Sequence, residues 1–184
     1  PMRIEDKKEI YRILSDNTIT TFDQEYNEFV ADIINNPVVT SMKEYIQHGT
    51  TTCYDHCVSV SYASYKIAKY FNMDAKSTAR AALLHDLFLY DWHKVIDKKP
   101  LFEKHGFTHP KTALENASKY FELNEIEKDI IEKHMWPLTF RKIPRYKESL
   151  VVTFVDKYCS TNETFEPLAS KINMPSFLSK KQYL

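Results

Sequence analysis

Four histidines and two aspartates in the sequence have the types and the spacing from which a metal centre can be built. The set consists of His56, His85, Asp86, His109, His134 and Asp156. Imidazole nitrogens and carboxylates suit borderline transition metals such as Fe, Mn, Zn and Co, and one carboxylate can bridge two ions. We therefore expect two divalent ions. Asp86, which adjoins a ligating histidine, is the candidate for the bridging catalytic residue that helps to activate water.

A pair of metal ions at these residues would favour hydrolysis of phosphate esters. Two divalent ions carry more positive charge than two aspartates neutralise, so the pocket would attract a phosphate group. Such a pair lowers the pKa of bound water and stabilises both the attacking and the leaving oxygen, so no protein nucleophile is needed. A single histidine on an apolar helix face is more often a core residue than a ligand, and the interpretation depends on all six residues together.

Apolar residues recur at helical spacing along most of the chain, so each candidate ligand lies on a predicted helix or at its end. The helices are predicted near 3–15, 23–34, 37–45, 53–71, 75–89, 110–121, 124–134, 148–160 and 165–172. The β-branched run in 148–160 would also suit a buried strand. Gly106 and Pro110 predict a break between His105 and His109, with Pro110 at the first position of the next helix. Residues 88–108 are predicted to form an irregular connection or lid.

The composition favours an all-α fold built as one helical bundle. Only 2 glycines occur in 184 residues, which leaves few positions for tight hairpins, while 12 Tyr and 11 Phe provide material for a core. The length is typical of one domain. We expect a single domain over 1–184, with a metal-binding core at 50–160 and helical flanks at 1–48 and 162–184.

Charge and hydropathy exclude two classes of partner. The 25 basic and 25 acidic residues balance, so no overall field attracts a nucleic-acid polymer or an anionic membrane. No apolar stretch is long enough to span a bilayer, and the first residues are too charged for a signal peptide. We expect a cytoplasmic protein in which Cys53 and Cys57 are buried, reduced thiols.

The pattern of His56, the His85–Asp86 pair and Asp156 resembles the HD-domain superfamily of metal-dependent phosphohydrolases. The resemblance covers about residues 50–160 and implies an all-helical fold. His109 and His134 resemble the additional ligands of its six-ligand, two-metal version. By this resemblance one ion is held by His56, His85, Asp86 and Asp156, and the other by Asp86, His109 and His134. It further implies that a metal-bound hydroxide cleaves a nucleotide or another small phosphate ester.

The residues after the His85–Asp86 pair, Leu87 to Tyr90, differ from the Gly and Lys of several two-metal relatives. Contacts to substrate phosphate are therefore expected from basic residues near the ligands in sequence. These candidates are Lys94, Lys104, Lys111, Arg141 and Lys157, with Lys94 and Lys111 as first choices. Trp136 is a candidate for stacking on a base or ring. His48 and His93 are interpreted as loop residues.

Two further functions fit the same residues. Helical di-iron oxygenases similar to inositol oxygenase use the same ligand types, and a non-catalytic nucleotide-binding module could retain the helical bundle. The identity of the metal and its redox behaviour distinguish an oxygenase from a hydrolase. The sequence leaves the substrate, the physiological metal and the oligomeric state open.

Overall fold

The computed structural model of the chain describes residues 2–15, 23–91 and 105–171. Within these ranges the chain forms eight α-helices, a short 3-10 helix at Ser41–Glu44 and a two-stranded hairpin. The helices are α1 (Ile4–Ser15), α2 (Gln24–Ile34), α3 (Pro37–Thr40), α4 (Cys53–Tyr70), α5 (Ala75–Leu84), α6 (His105–Tyr120), α7 (Glu125–Lys133) and α8 (Lys147–Lys171). The strands are β1 (Ile46–His48) and β2 (Thr51–Thr52). The all-α prediction is confirmed.

Helix α4 lies at the centre of the fold, packed against α5 and α8. Most of its side chains are buried, so it is covered around much of its circumference rather than along one stripe. Its start is fixed by Thr52, whose hydroxyl accepts a hydrogen bond from the backbone N–H of Asp55 at 3.1 Å. This cap sets the position of His56 in the first turn.

A chain of buried hydrogen bonds joins three helices around this centre. The Tyr26 hydroxyl on α2 donates to Ser61 Oγ on α4 at 2.9 Å, and Ser61 Oγ donates to the Ala79 carbonyl on α5 at 2.7 Å. Each buried hydroxyl is thereby satisfied, which avoids the cost of an unpaired polar group in the core. The chain fixes the relative positions of α4 and α5, the two helices that carry His56 and lead into His85.

The N-termini of α5 and α7 are capped together. Asp74 accepts a hydrogen bond from the Ser77 N–H at 2.9 Å, and Asn124 forms a reciprocal capping box with Glu127. Asn124 Nδ2 also donates to Ser77 Oγ at 2.8 Å, which links the two caps. Because the helices start side by side and pack along their length, their C-terminal ends also lie close together. Those ends carry His85 and His134.

The C-terminal helix is longer than predicted, and residues 148–160 form helix rather than the alternative buried strand. We predicted an end near residue 160 and a separate helix near 165–172, whereas α8 continues to Lys171. The polar residues in between do not interrupt it, because Thr161 and Thr164 bond within the helix. Their hydroxyls donate to the carbonyls of Lys157 and Ser160, each at 2.7 Å.

Two other boundaries differ from the prediction. Helix α6 begins at His105, so Pro110 lies inside it and no break separates His105 from His109. Pro110 is the sixth residue of α6, so the one hydrogen bond that it removes is to the carbonyl of Gly106, near the start of the helix. Helix α5 ends at Leu84 rather than at residue 89, with His85 as its C-cap.

The hairpin of β1 and β2 was not predicted. It turns at Gly49, whose φ of 57° lies in the left-handed region that glycine adopts without strain.

Within the described residues, no helix is both long enough and apolar enough to cross a bilayer.

Replacing Asn124 with alanine should destabilise the protein by about 1–2 kcal/mol, because the α7 cap and the link to α5 are both lost. Urea denaturation measures the change in the free energy of unfolding. Glu122→Ala, at an exposed position two residues earlier, is the matched control and should change it little. A loss below about 0.5 kcal/mol for Asn124→Ala would show that the shared cap contributes nothing to stability.

Candidate metal centre

The His85–Asp86 pair follows directly after the last residue of α5, and both side chains are buried. His85 Nδ1 lies 2.7 Å from the Ala82 carbonyl, which belongs to the last turn of the helix and lacks an intrahelical donor. A ring nitrogen that faces a carbonyl oxygen carries the proton. His85 therefore directs its Nε2 towards Asp86 Oδ2, at 3.5 Å.

His56 and Asp156 reach the same point from α4 and α8. His56 Nε2 lies 3.2 Å from Asp156 Oδ1 and 4.0 Å from Asp86 Oδ2. His85 Nε2 lies 3.7 Å from the same Asp156 oxygen. Four side chains from three parts of the chain thus converge on one buried position.

His109 and His134 occupy the other side of Asp86. Their Nε2 atoms lie 2.8 Å apart, and they lie 3.3 Å and 3.6 Å respectively from Asp86 Oδ1. His134, the C-cap of α7, repeats the arrangement of His85, because its Nδ1 donates to the Ile131 carbonyl at 2.9 Å. Its Nε2 consequently faces Asp86 with a lone pair.

The two oxygens of Asp86 therefore face two different pairs of histidines. Oδ2 faces His56 and His85, whereas Oδ1 faces His109 and His134. A carboxylate in this position can hold one ion on each oxygen. The geometry agrees with the bridging role expected of Asp86 from the sequence, and all six predicted ligands lie together.

Electrostatic interactions keep both aspartates ionised. Burial raises a carboxyl pKa, but His85, His109 and His134 outweigh it and hold the pKa of Asp86 well below its usual range. Burial is likewise outweighed at Asp156, where the hydrogen bond with His56 and the nearby His85 ring hold the pKa well below its usual value. Metal ligation needs charged carboxylates, and the site supplies them.

The histidines divide into two kinds. Burial and the nearby His85 and His109 rings lower the pKa of His134 to about 3, so this imidazole is neutral. Burial also acts to lower the pKa values of His56 and His85. At these two rings the neighbouring carboxylates, chiefly Glu163 and Asp86 respectively, outweigh burial and raise the pKa well above its usual value.

The donor set fits a transition-metal ion. Among the described residues, the buried atoms His85 Nε2 and Asp86 Oδ1 have no hydrogen-bond partner of acceptable geometry. Unpaired buried polar atoms are costly, and a bound cation would satisfy both. Ligand atoms of His56, His85 and Asp86 lie within 4.8 Å of one another, as do those of His85, His134 and Asp156, and those of Asp86, His109 and His134. These residues could therefore hold metal.

Several residues contact the candidate ligands although the sequence did not single them out for that role. Gln47 on β1 donates from Nε2 to Asp86 Oδ2, and Glu163 on α8 accepts from His56 Nδ1 at 2.8 Å. His48, interpreted as a loop residue, lies on β1 with its ring centroid 5.4 Å from that of His56. The hairpin and the turn of α8 that carries Glu163 thus cover one side of the centre, and no local sequence signal indicated this.

Cys53 and Cys57 are buried thiols, as predicted. Cys57 Sγ lies 3.8 Å from His85 Nδ1, and Cys53 Sγ lies 3.4 Å from the Asp86 carbonyl. Burial raises the pKa of Cys57 well above its usual value, so this thiol stays protonated. Both side chains therefore pack behind the His85–Asp86 pair.

The predicted substrate contacts are placed differently from one another. Lys94 and Lys104 lie outside the described residues. Lys111 is 74% exposed and pairs with Glu115, and Arg141 is exposed with its guanidinium 5.6 Å from the Phe140 ring, so neither contacts the described cluster. Trp136 is half-buried shortly after His134.

Lys157 differs from the other basic candidates because it does touch the cluster. Its Nζ donates to the His134 carbonyl at 2.9 Å and lies 3.3 Å from Asp156 Oδ2, while 41% of the side chain remains exposed. A cation is thereby held at the edge of the centre, between a candidate ligand and solvent.

Comparison with known proteins gives one finding for this chain. A family model described as HD domain matches residues 53–161, which is more than half of the sequence and includes all six clustered residues. No curated protein and no solved structure matches the chain. Gln47 and His48 precede the matched region, and Glu163 follows it.

The ion content of the centre should depend on its two sides separately. We expect two ions per chain in protein purified without chelator, and about one in the His109→Ala, His134→Ala double variant, because Asp86 Oδ1 then loses both imidazole partners. Elemental analysis measures the metal, with Lys119→Ala, at an exposed position on α6, as the control variant. An unchanged metal content in the double variant would show that these two histidines hold no ion.

Proposed function

Because the chain belongs to the HD-domain family, we propose that it is a metal-dependent phosphohydrolase acting on a nucleotide or another small phosphate ester. One observation carries the proposal: the buried Asp86 carboxylate lies between two pairs of histidines, one pair at each oxygen. Two ions held by such a set are the arrangement that cleaves phosphate esters without a protein nucleophile.

The six residues would divide between two ions, with Asp86 shared. His56, His85, Asp86 and Asp156 would hold one ion, and Asp86, His109 and His134 the other. Divalent ions bound there lower the pKa of coordinated water and so supply a hydroxide nucleophile near neutral pH. The chain contributes a buried, pre-formed set of donors whose Nδ1 bonds fix the ring orientations.

Lys157 is the basic residue best placed to orient a substrate phosphate. It is half-exposed, and its ammonium group has three donors, of which the described contacts to His134 and Asp156 use two. The proposed partner is a small phosphorylated molecule, because the balanced net charge gives no general attraction for a nucleic-acid polymer. The buried thiols Cys53 and Cys57 fit work in the reducing cytoplasm.

Asp86→Asn tests the proposal most directly, because the amide keeps the shape of the side chain and removes the bridging charge. Hydrolysis of phosphate monoesters, phosphodiesters and nucleotides by the Mn-, Co-, Zn- or Fe-loaded protein should fall by more than about 100-fold. Release of phosphate or nucleoside is the measurement, and Asp23→Asn, on the exposed surface, is the control.

Two results would contradict the proposal. One is a metal-loaded wild-type protein that hydrolyses none of these substrates. The other is an Asp86→Asn variant that is as active as the wild type. Retained iron with substrate-dependent oxygen consumption would instead support a di-iron oxygenase, and nucleotide binding without turnover would support a binding module.

Lys157→Met should raise KM about 10-fold or more while kcat and metal content stay near the wild-type values, since a bond to a charged phosphate is lost. Steady-state kinetics on the best substrate from the panel measures the two constants separately. Lys119→Met, an exposed lysine on α6, is the matched control. A fall in kcat and metal content with unchanged KM would assign Lys157 to the metal centre rather than to the substrate.

A further inference from the structure

Glu163 makes a close contact to a candidate ligand, His56, from outside the family match. It lies on α8 two turns after Asp156, and its Oε2 lies 2.8 Å from His56 Nδ1. Its side chain is only 13% exposed, and the His56 ring is fully buried. The contact is on the opposite edge of the ring from Nε2, which faces Asp156 and Asp86. Glu163 is therefore not itself a ligand in this arrangement.

The Nδ1 atom of His56 cannot use a last-turn carbonyl as its acceptor, unlike the Nδ1 atoms of His85 and His134. Each of those two rings is the C-cap of its helix, and its Nδ1 donates to a last-turn carbonyl that no helical N–H reaches. His56 is in the first turn of α4, where backbone carbonyls accept bonds from the following turn of the helix. A partner for its Nδ1 must come from another element, and Glu163 supplies it.

We propose that Glu163 is a positioning residue that fixes the Nδ1–H form of His56 and thereby presents Nε2 to the metal. This inference rests on the metal centre of the proposed function. A carboxylate behind a ligating imidazole fixes the ring orientation and increases the basicity of the ligating nitrogen. The turn of α8 that carries Glu163, beyond the matched region, is accordingly part of the centre.

The experiment measures metal affinity on the one ion that His56 would hold. In the His109→Ala, His134→Ala background, titration calorimetry with Mn²⁺ and Co²⁺ isolates that ion. Glu163→Ala should weaken its binding by about 10–100-fold, and Glu163→Gln, which keeps an acceptor but no charge, should weaken it less. Glu115→Gln, at an exposed glutamate on α6, is the control.

A double-mutant cycle separates positioning from a general effect on the fold. In a His56→Ala background, Glu163→Ala should cause no further loss of affinity, because Glu163 acts only through that ring. Thermal unfolding of each metal-free variant should remain cooperative, which shows that the fold is retained. Equal losses with and without His56 would overturn the proposal, as would a Glu163→Ala affinity within twofold of the background.

The same measurements separate this inference from the proposed function. A wild-type protein that binds metal but hydrolyses no phosphate ester would overturn the function and leave the role of Glu163 intact. A wild-type protein that binds no metal would overturn both. Metal binding that Glu163→Ala does not change would overturn the positioning role alone.

Discussion

The fold is organised around one buried carboxylate. Asp86 is ionised and only 3% exposed, and a buried charge is tolerated only when other groups compensate for its lost hydration. Gln47 donates to one oxygen, and imidazoles face both. These groups come from β1, α4, α6 and the ends of α5 and α7. The helices must therefore pack so that all of these groups reach Asp86.

At the ends of α5 and α7, unpaired backbone carbonyls determine which nitrogen of a histidine faces the centre. A helix leaves its last carbonyls without partners, and a histidine at the C-cap can donate to one of them. His85 and His134 both do this, so the backbone fixes which nitrogen carries the proton. Because the shared cap of Asn124 and Ser77 aligns the starts of these two helices, their C-terminal histidines are brought together at the opposite end.

The part of the centre that the sequence predicted was the part with local signals. The His85–Asp86 pair ends an apolar helix, and the other four ligands lie on helices of recognisable periodicity. Glu163 has no such signal, because its role depends on α8 continuing past Asn162, where we predicted a break. Gln47 and His48 reach the centre through a hairpin whose strands are too short to give a recognisable alternating pattern in the sequence. Lys111 was preferred to Lys157 from the sequence, because distance along the chain does not give the direction in which a side chain leaves its helix.

The ligands and their supports come from different parts of the chain. All six candidate ligands lie within the region that matches the HD-domain family, whereas Gln47 and Glu163 lie on either side of it. Both outer residues contact donors on the side of Asp86 Oδ2, and none of the described contacts of His134 involves them. On the role proposed for Glu163, the flanks would influence the metal affinity of that side of the centre, which could then change without any change in the ligands themselves.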